Sequence, residues 1–316
     1  MITVTGEAVI DLIVDGQDQL RPSPGGGAFN TARAIARLGQ PAAFLGLLSS
    51  DRFGRELADK LDADGVKLLV ETEAAEPTTL AVLDIDQAGV ARYRFYLDGT
   101  SAAALSRASL PACATALHIG SLALHMEPIA TTIEQLVRDL PDDVLLMLDP
   151  NCRPSAIHDK TAYLARLARL MPRVDIVRTS TEDLRYLEAS GPDLLGTGSG
   201  SGDGDGGGTG GGAGPAAVVV TDGAAAVHAY TAGGQVFSAK VPPVEVIDTV
   251  GAGDAFGGAF LAWWTRNGLT RADLCDPEPL AAATLAAVEA AAVTCTRRGA
   301  EPPWLSELRG KPGWDV

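Results

Sequence analysis

Asp248-Thr249-Val250-Gly251-Ala252-Gly253-Asp254-Ala255-Phe256-Gly257-Gly258-Ala259-Phe260 is the stretch on which the reading of this chain turns. The β-branched residues before it, Val244, Val246 and Ile247, predict a strand. Small and apolar residues continue through Leu261, Ala262, Trp263 and Trp264, as a buried helix requires. A glycine-rich turn between strand and helix leaves N–H groups free at the helix N-terminus, where they and the helix dipole favour an anion. Glycine also lets the backbone approach that anion with no Cβ in the way. Asp254 is the odd member, because a carboxylate at an anion hole repels a bound phosphate. Its presence makes sense if it is a base, taking the proton of a hydroxyl that attacks a phosphoryl group. The stretch points to phosphoryl transfer to an alcohol.

Other readings compete. Gly-Ala-Gly at a strand–helix turn can serve tight packing alone. It can also belong to a dinucleotide site, and so to an NAD(P)-dependent oxidoreductase. The spacing here is G-x-G-x-x-x-G rather than G-x-G-x-x-G, however, and an acid directly after the second glycine gives a dinucleotide nothing obvious. No Gly-Lys-Ser/Thr follows, so the turn is not a Walker A loop.

Length and composition fit one large α/β domain, since 316 residues at 46% hydrophobic content support a full core. Cys113, Cys152, Cys275 and Cys295 are scattered with no C-x-x-C pair, which predicts reduced thiols and a cytoplasmic protein. Met1-Ile2-Thr3-Val4-Thr5-Gly6 has no basic start and no cleavage signature, so it reads as a first strand rather than a signal peptide. No apolar run approaches the ~18–20 residues that span a bilayer, and no membrane partner is expected. A net charge of −15 argues against nucleic acid as a partner. An acidic chain that handles phosphates must instead gather local positive potential from N–H groups, a few arginines and a metal ion. His118, His125, His158 and His228 show no ligand spacing and read as structural.

The rest of the chain reads as alternating strands and helices. Met1–Ile13 is a strand, extended by a polar segment to about Arg21; Phe29–Leu38 is a helix stopped by Gly39. Ala42–Leu48 is a buried strand and Arg55–Asp64 a helix ended by Gly65. Thr79–Ile85 and Val90–Leu97 alternate around Asp86-Gln87-Ala88-Gly89, a hairpin signal. From Ala116 the elements are Ala116–Ile119, Ile129–Arg138, Val144–Leu148, Lys160–Leu170, Ile176–Arg178 and Glu182–Leu187, which imply a mostly parallel sheet covered on both faces. Gly191–Pro215 is almost entirely Gly, Ser, Thr and Asp and predicts a flexible insertion. Ala216–Thr221 reads as a strand and Leu280–Cys295 as an Ala-rich helix. The early hairpin does not fit the parallel scheme. Segments at about 9–24 and 79–100 are expected to form a small β lid on a single domain spanning 1–316.

On these residues the chain resembles the ribokinase/PfkB family of sugar kinases. Asp248-Thr249-Val250-Gly251-Ala252-Gly253-Asp254 matches the family's C-terminal signature. Gly25-Gly26-Gly27-Ala28-Phe29-Asn30 with Ala36-Arg37-Leu38-Gly39 matches the N-terminal one. The resemblance covers nearly everything outside the Gly-rich insertion and implies a ribokinase-like three-layer α/β sandwich. It implies that Asp254 is the catalytic base and that the N–H groups of Gly251, Ala252 and Gly253 form the anion hole. Asp11, Gly26, Gly27 and Asn30 match positions that hold the sugar, although Asn30 also suits a helix cap. The family's Asn-x-x-Glu motif reads here as Thr179-Ser180-Thr181-Glu182, which leaves Glu182 to act on Mg²⁺ through water. Thr221-Asp222-Gly223-Ala224 matches the nucleotide turn. ATP and Mg²⁺ are thus the implied cofactors. Asp248 and Val250 resemble a monovalent-cation site that some members use for potassium.

Within the family, the chain is most similar to bacterial fructokinases and 2-keto-3-deoxygluconate kinases. Phe44-Leu45-Gly46-Leu47-Leu48-Ser49-Ser50-Asp51-Arg52-Phe53-Gly54 and the segment from Thr294 to Trp304 look fructokinase-like. A keto-acid would call for a guanidinium, which Arg92, Arg94 or Arg153 could supply. Arg92 and Arg94 alternate with Tyr93 and Phe95, so one pair faces the cleft and the other faces away. Aromatics toward the sugar favour a neutral ketose; arginines toward it favour an acid. The leading expectation is an ATP-dependent kinase of a hexose primary hydroxyl, fructose first. A sugar-binding protein without catalysis is a further alternative, suggested by Thr179 in place of Asn. Family members often dimerise through the lid, and Leu12, Val14, Val82 and Phe95 are the expected apolar face of such a homodimer.

Overall fold

The computed structural model describes residues 1–14, 20–85, 91–196 and 214–314. Its elements are β1 (Ile2–Thr5), β2 (Val9–Val14), β3 (Leu20–Gly25), α1 (Gly27–Arg37), β4 (Ala42–Leu45), α2 (Arg52–Ala63), β5 (Lys67–Leu68), β6 (Leu80–Ile85), β7 (Ala91–Tyr96), β8 (Ala116–Gly120), α3 (Ile129–Arg138), β9 (Leu145–Asp149), α4 (Lys160–Leu170), β10 (Ile176–Ser180), α5 (Thr181–Leu187), β11 (Ala217–Asp222), β12 (Ala226–Thr231), β13 (Gly234–Ala239), α6 (Ala252–Arg266) and α7 (Pro277–Cys295).

The central sheet has nine strands in the order β13-β12-β11-β10-β9-β8-β1-β4-β5. It is parallel from β11 to β5, with β12 and β13 added antiparallel at one edge. Strands covered on both faces carry no polar alternation, and β8 and β9 are buried at every position. Val4, Met147, Ile176 and Val219 belong to a core shared with α1, α6 and α7. Leu117, Leu146, Val177 and Val218 belong to a second core with α3 and α4. The C-terminal ends of β1, β8, β9, β10 and β11 therefore converge on one rim, where open α/β sheets bind ligands.

A second, four-stranded sheet runs β3-β2-β6-β7. The expected single strand from Met1 to Ile13 is two strands in two sheets, because the chain leaves the central sheet at Gly6-Glu7-Ala8. β6 and β7 pair antiparallel; the tip of their hairpin, 86–90, lies outside the described residues. Tyr93 and Phe95 are half-buried while Arg94 and Tyr96 are exposed, so the aromatics take the inner face. The side chain of Arg92 is outside the described residues. The four residues expected to share one apolar face do not share it. Phe95 pairs with Ala81 and Ala81 with Asp11, whereas Leu12 pairs with Val82 and Val82 with Arg94. The side chain of Val14 is outside the described residues.

Other expectations also need correction. Val244–Ile247 is not a strand: Pro242 and Pro243 lack N–H donors, and the chain instead hangs from α7, with Ile247 and Asp248 N–H both donating to the Cys295 carbonyl (2.8 and 3.2 Å). Val246 and Ile247 stay exposed, at 56% and 57%. Within Gly191–Pro215, the described residues at the two ends have defined structure. Gly191 is buried, Pro192–Leu194 makes a 3₁₀ turn, and Gly196 N–H donates to the Pro215 carbonyl at 2.9 Å. Residues 197–213 lie outside the described residues. Finally, α7 at 19 residues is long and apolar enough to cross a membrane by length and composition. It packs in the core, however, with Leu280, Ala283, Ala286, Ala287 and Ala290 fully buried.

Candidate active site

Two cavities open on the rim and meet at the start of α6. One, of about 580 Å³, lies under the small sheet. The other, of about 590 Å³, lies between β10, β11, α6 and α7. The first is lined by Asp11, Gly26, Gly27, Asn30, Tyr93, Phe95 and Arg153, together with Gly251, Gly253 and Asp254. The second is lined by Thr221, Gly223, Glu182, Ala252 and Gly253. The structure thus brings the expected sugar residues to one side and the expected nucleotide residues to the other.

The junction is built by the turn into α6. Gly251 caps the helix at φ 77°, a left-handed conformation that L side chains rarely adopt, and a Cβ there would run into Ala300. The Ala252 N–H closes a turn to the Thr249 carbonyl at 3.3 Å, while Gly251 and Gly253 line the first cavity. Asp254 is open to the cleft but lies deep at its floor. Its Oδ2 accepts from Asn30 Nδ2 at 2.8 Å, and its Oδ1 accepts a long bond of 3.5 Å from Asn151 Nδ2. Burial pushes the Asp254 carboxyl up to about 7, against the Asn30 hydrogen bond and with help from the negative charge of Asp149; Arg153 and Arg178 pull it down. A carboxylate poised near neutral pH suits a general base. Asn30 is inside α1, whose cap position is Gly26, so it serves Asp254 rather than capping the helix.

Asp11 sits within β2. Burial pushes it up to about 6, opposed by Arg153 and reinforced by Asp248. Tyr93 and Phe95 stack with ring centroids 5.8 Å apart beside it. Arg153 also lines this cavity, but its Nη1 turns back onto the carbonyls of Asn151 (3.3 Å) and Cys152 (3.1 Å).

The acidic motif after β10 is framed differently from the sequence reading. Thr179 is fully buried and lines neither cavity, whereas its neighbours Arg178 and Ser180 line both, as strand alternation requires. Ser180 and Asp183 form a capping box, with Asp183 Oδ2 accepting from Ser180 N–H (3.0 Å) and Oγ (2.7 Å). Asp183 Oδ1 takes the Cys152 N–H at 2.6 Å. Asp183 is therefore committed to backbone, and exposed Glu182 is the acid on this turn left facing both cavities. Asp248 is also committed: its carboxylate accepts from Val250 N–H (3.0 Å) and Gly299 N–H (2.8 Å), tying the turn before α6 to the one after α7. Among the described residues, no three His, Cys, Asp or Glu side chains gather as a metal cage.

Sequence reasoning missed several site residues. Glu7 is completely buried, accepts from Gly27 N–H (2.9 Å) and Ala123 N–H (3.2 Å), and so fixes the Gly26–Gly27 loop to the end of β8. Burial raises its carboxyl, against these hydrogen bonds. Ser121 and Asn151, both lining the first cavity, hold left-handed backbone at φ 57° and 39°, strain of the kind found at functional sites. Asn151 was within reach of sequence reading, as the centre of Asp149-Pro150-Asn151-Cys152-Arg153.

The chain is similar to known proteins over most of its length. The model of the pfkB family carbohydrate kinases matches residues 1–307. A fructokinase of Rhizobium leguminosarum bv. trifolii is 35% identical over 272 residues, covering 83% of this chain and 79% of that protein. The crystal structure of the Xylella fastidiosa fructokinase with bound ATP aligns with a TM-score of 0.78 at 25% identity, over 95% of this chain and 93% of that one. A double mutant of the Vibrio cholerae O395 fructokinase, with fructose, ADP and potassium ion bound, aligns at 0.76 and 25% identity, over 95% and 93%. The fold is the ribokinase-like α/β sandwich. With both signatures at one junction and a family match over nearly its whole length, the chain belongs to the pfkB family of carbohydrate kinases, phosphotransferases that act on a sugar hydroxyl.

Proposed function

We propose that this chain is an ATP-dependent kinase that phosphorylates the primary hydroxyl of fructose. The observation that carries the choice of sugar is the register of β7: Tyr93 and Phe95 line the cleft while Arg94 is exposed. Stacked aromatics offer an apolar platform to a neutral ring and no countercharge to a carboxylate. Arg153, which lines this cavity, already spends hydrogen bonds on its own loop, and Arg178, which also lines it, is engaged with Asp149 and Thr221. Both features favour a ketose over 2-keto-3-deoxygluconate. The fructokinase relatives support the same substrate.

In this reading Asp11 accepts from adjacent sugar hydroxyls, and Gly26, Gly27 and Asn30 close around the ring. Asp254 takes the proton of the attacking hydroxyl. The amides of Gly251 and Gly253 stabilise the transferring group, the Ala252 N–H being turned to the Thr249 carbonyl, with Arg153 or a neighbour neutralising charge. Thr221 and Gly223 hold the nucleotide. Mg²⁺ fits as an ion carried mainly by phosphates and water, since exposed Glu182 lines both cavities where it can meet the hydration shell, and among the described residues no cage of His, Cys, Asp or Glu gathers. Potassium belongs to the same proposal at Asp248 and Val250, supported by the potassium in the Vibrio cholerae structure. So does a homodimer through the small sheet, which an elution volume matching a monomer would remove.

The test is a coupled ADP-release assay with ATP and Mg²⁺ across fructose, 2-keto-3-deoxygluconate, ribose and adenosine. Saturable turnover on fructose above the others supports the proposal. Preference for the keto-acid overturns the choice of sugar and moves Arg153 into substrate binding.

A further inference from the structure

Among the described residues, Arg178 is the one basic side chain that lines both cavities. It leaves β10 beneath the start of α6 and is 7% exposed. Its Nη1 donates to Asp149 Oδ2 at 3.0 Å and its Nη2 to Thr221 Oγ1 at 2.9 Å. Its guanidinium carbon sits 5.7 Å from the Phe256 ring centroid. A Cβ on Gly253 would come within 2.8 Å of Nη1 and 2.9 Å of Nη2, so the fork is pressed against the amide turn of the anion hole. Its Nε is buried with no partner, as is Asp149 Oδ1. The guanidinium is thus locked in place and incompletely satisfied, at the seam between the two cavities.

We infer that Arg178 is a catalytic residue, the cation that meets the phosphoryl group in flight. The inference rests on the kinase reading above. In the transfer step the sugar oxygen bonds to the γ-phosphorus, and the bond from that phosphorus to the β–γ bridging oxygen breaks with its electron pair leaving on ADP. The hydroxyl proton goes to the Asp254 carboxylate. Charge shifts toward the bridging oxygen as this happens, along the seam that Arg178 occupies. A fixed, permanently charged fork there stabilises the transition state without reorganising. Arg153 lines the sugar cavity alone, and its hydrogen bonds run to its own loop.

Removing Arg178 alone would strand buried Asp149, so the test uses Arg178→Met combined with Asp149→Asn. This pair removes opposing influences on Asp254 together, the raising by Asp149 and the lowering by Arg178. Two readouts are taken besides thermal stability: kcat on the sugar, and binding of ADP·Mg²⁺ with and without fluoroaluminate in the presence of sugar. The expected result is a kcat lower by about 10²–10³, ADP·Mg²⁺ affinity within about threefold of wild type, and loss of the fluoroaluminate enhancement. A kcat within about tenfold of wild type, with the enhancement intact, overturns the inference and leaves Arg178 as the counterion of Asp149. If the double variant does not fold, Arg178→Lys decides. Parallel loss of kcat and fluoroaluminate affinity at unchanged ADP affinity supports the role; wild-type values in both overturn it. Wild-type protein that releases no ADP with any sugar overturns the kinase reading and this inference with it.

Discussion

Replacing Asn30 with Ala should move the acid limb of the kcat profile without abolishing turnover. Asn30 Nδ2 donates to Asp254 Oδ2 at 2.8 Å, and Asn30 is 4% exposed. That bond favours the ionised form of a carboxyl otherwise held up near 7 by burial. A hydrogen bond to a charged group is worth about 1.5–3 kcal/mol, and one pKa unit is about 1.36 kcal/mol, so its loss raises Asp254 by about one to two units. At pH 7 the ionised fraction falls from about one half to about 1–10%, which lowers kcat by roughly 5–50-fold. Because only the base form is active, the loss is recovered as pH rises through the new value. A water filling the space left by the amide would bring the shift toward the lower end. The assay is kcat at saturating fructose and ATP from pH 5.5 to about 9.5 for both proteins. Sugar KM is expected to rise too, since Asn30 lines the sugar cavity, but KM does not decide the matter. An acid limb that stays in place while kcat drops uniformly would refute the reasoning, because the titrating group would then not be the one Asn30 touches.

Further predictions follow from the same geometry. Phe95→Ala should raise fructose KM by about two- to thirteenfold, as expected for about 0.5–1.5 kcal/mol of aromatic contact, with ATP KM unchanged. Equal changes in both constants would contradict the placement of the aromatics on the sugar side. Glu7→Gln keeps an acceptor for one of the Gly27 and Ala123 N–H groups but turns an amide donor on the other, and should raise fructose KM about tenfold while ATP KM holds, measured by steady-state kinetics. Arg33 is fully buried and joins Asp64 (2.6 Å), the Ala300 carbonyl (2.8 Å) and Glu301 (3.0 Å). Arg33→Met should cost about 3–5 kcal/mol, read as a lower denaturant midpoint, because Asp64 stays buried with Arg37 as its remaining partner. Burial raises Glu301, but Lys60, Arg33 and Arg37 outweigh it and hold the carboxyl down at about 2, against an ordinary 4.5. Its contribution to stability is thus complete above about 4.5 and is lost as pH falls toward 2, visible as a falling Tm in that window that Glu301→Gln removes.

The α6 turn could be read from sequence because its chemistry is local: glycines, an acid and an apolar helix within one short stretch. The strands of the parallel sheet could be read because burial on both faces strips them of polar residues. The failures have physical causes too. Val244–Ile247 looks like a strand by residue type, but β-branched residues favour strands through neighbours on a pleat, and here Pro242 and Pro243 preclude a ladder. The two faces of β7 and of the end of β10 depended on which parity meets the cleft, and a one-residue change exchanges them. That is why the sequence did not show that Thr179 turns into the core while Ser180 lines both cavities, and why the choice between Tyr93/Phe95 and Arg92/Arg94 stayed open. Glu7 was invisible because its partners are backbone amides 20 and 116 residues away. Arg178 was hidden inside a strand whose role seemed to be structural.

The most direct test of the account is ³¹P NMR of ATP, Mg²⁺ and fructose with wild-type protein and with Asp254→Asn in parallel. The account predicts a phosphomonoester on a primary hydroxyl, formed in step with ADP by the wild type, and a rate lower by about 10² or more in the variant, with fructose binding preserved. A variant that makes the same product at nearly the wild-type rate would contradict the assignment of Asp254 as the base on which the account rests.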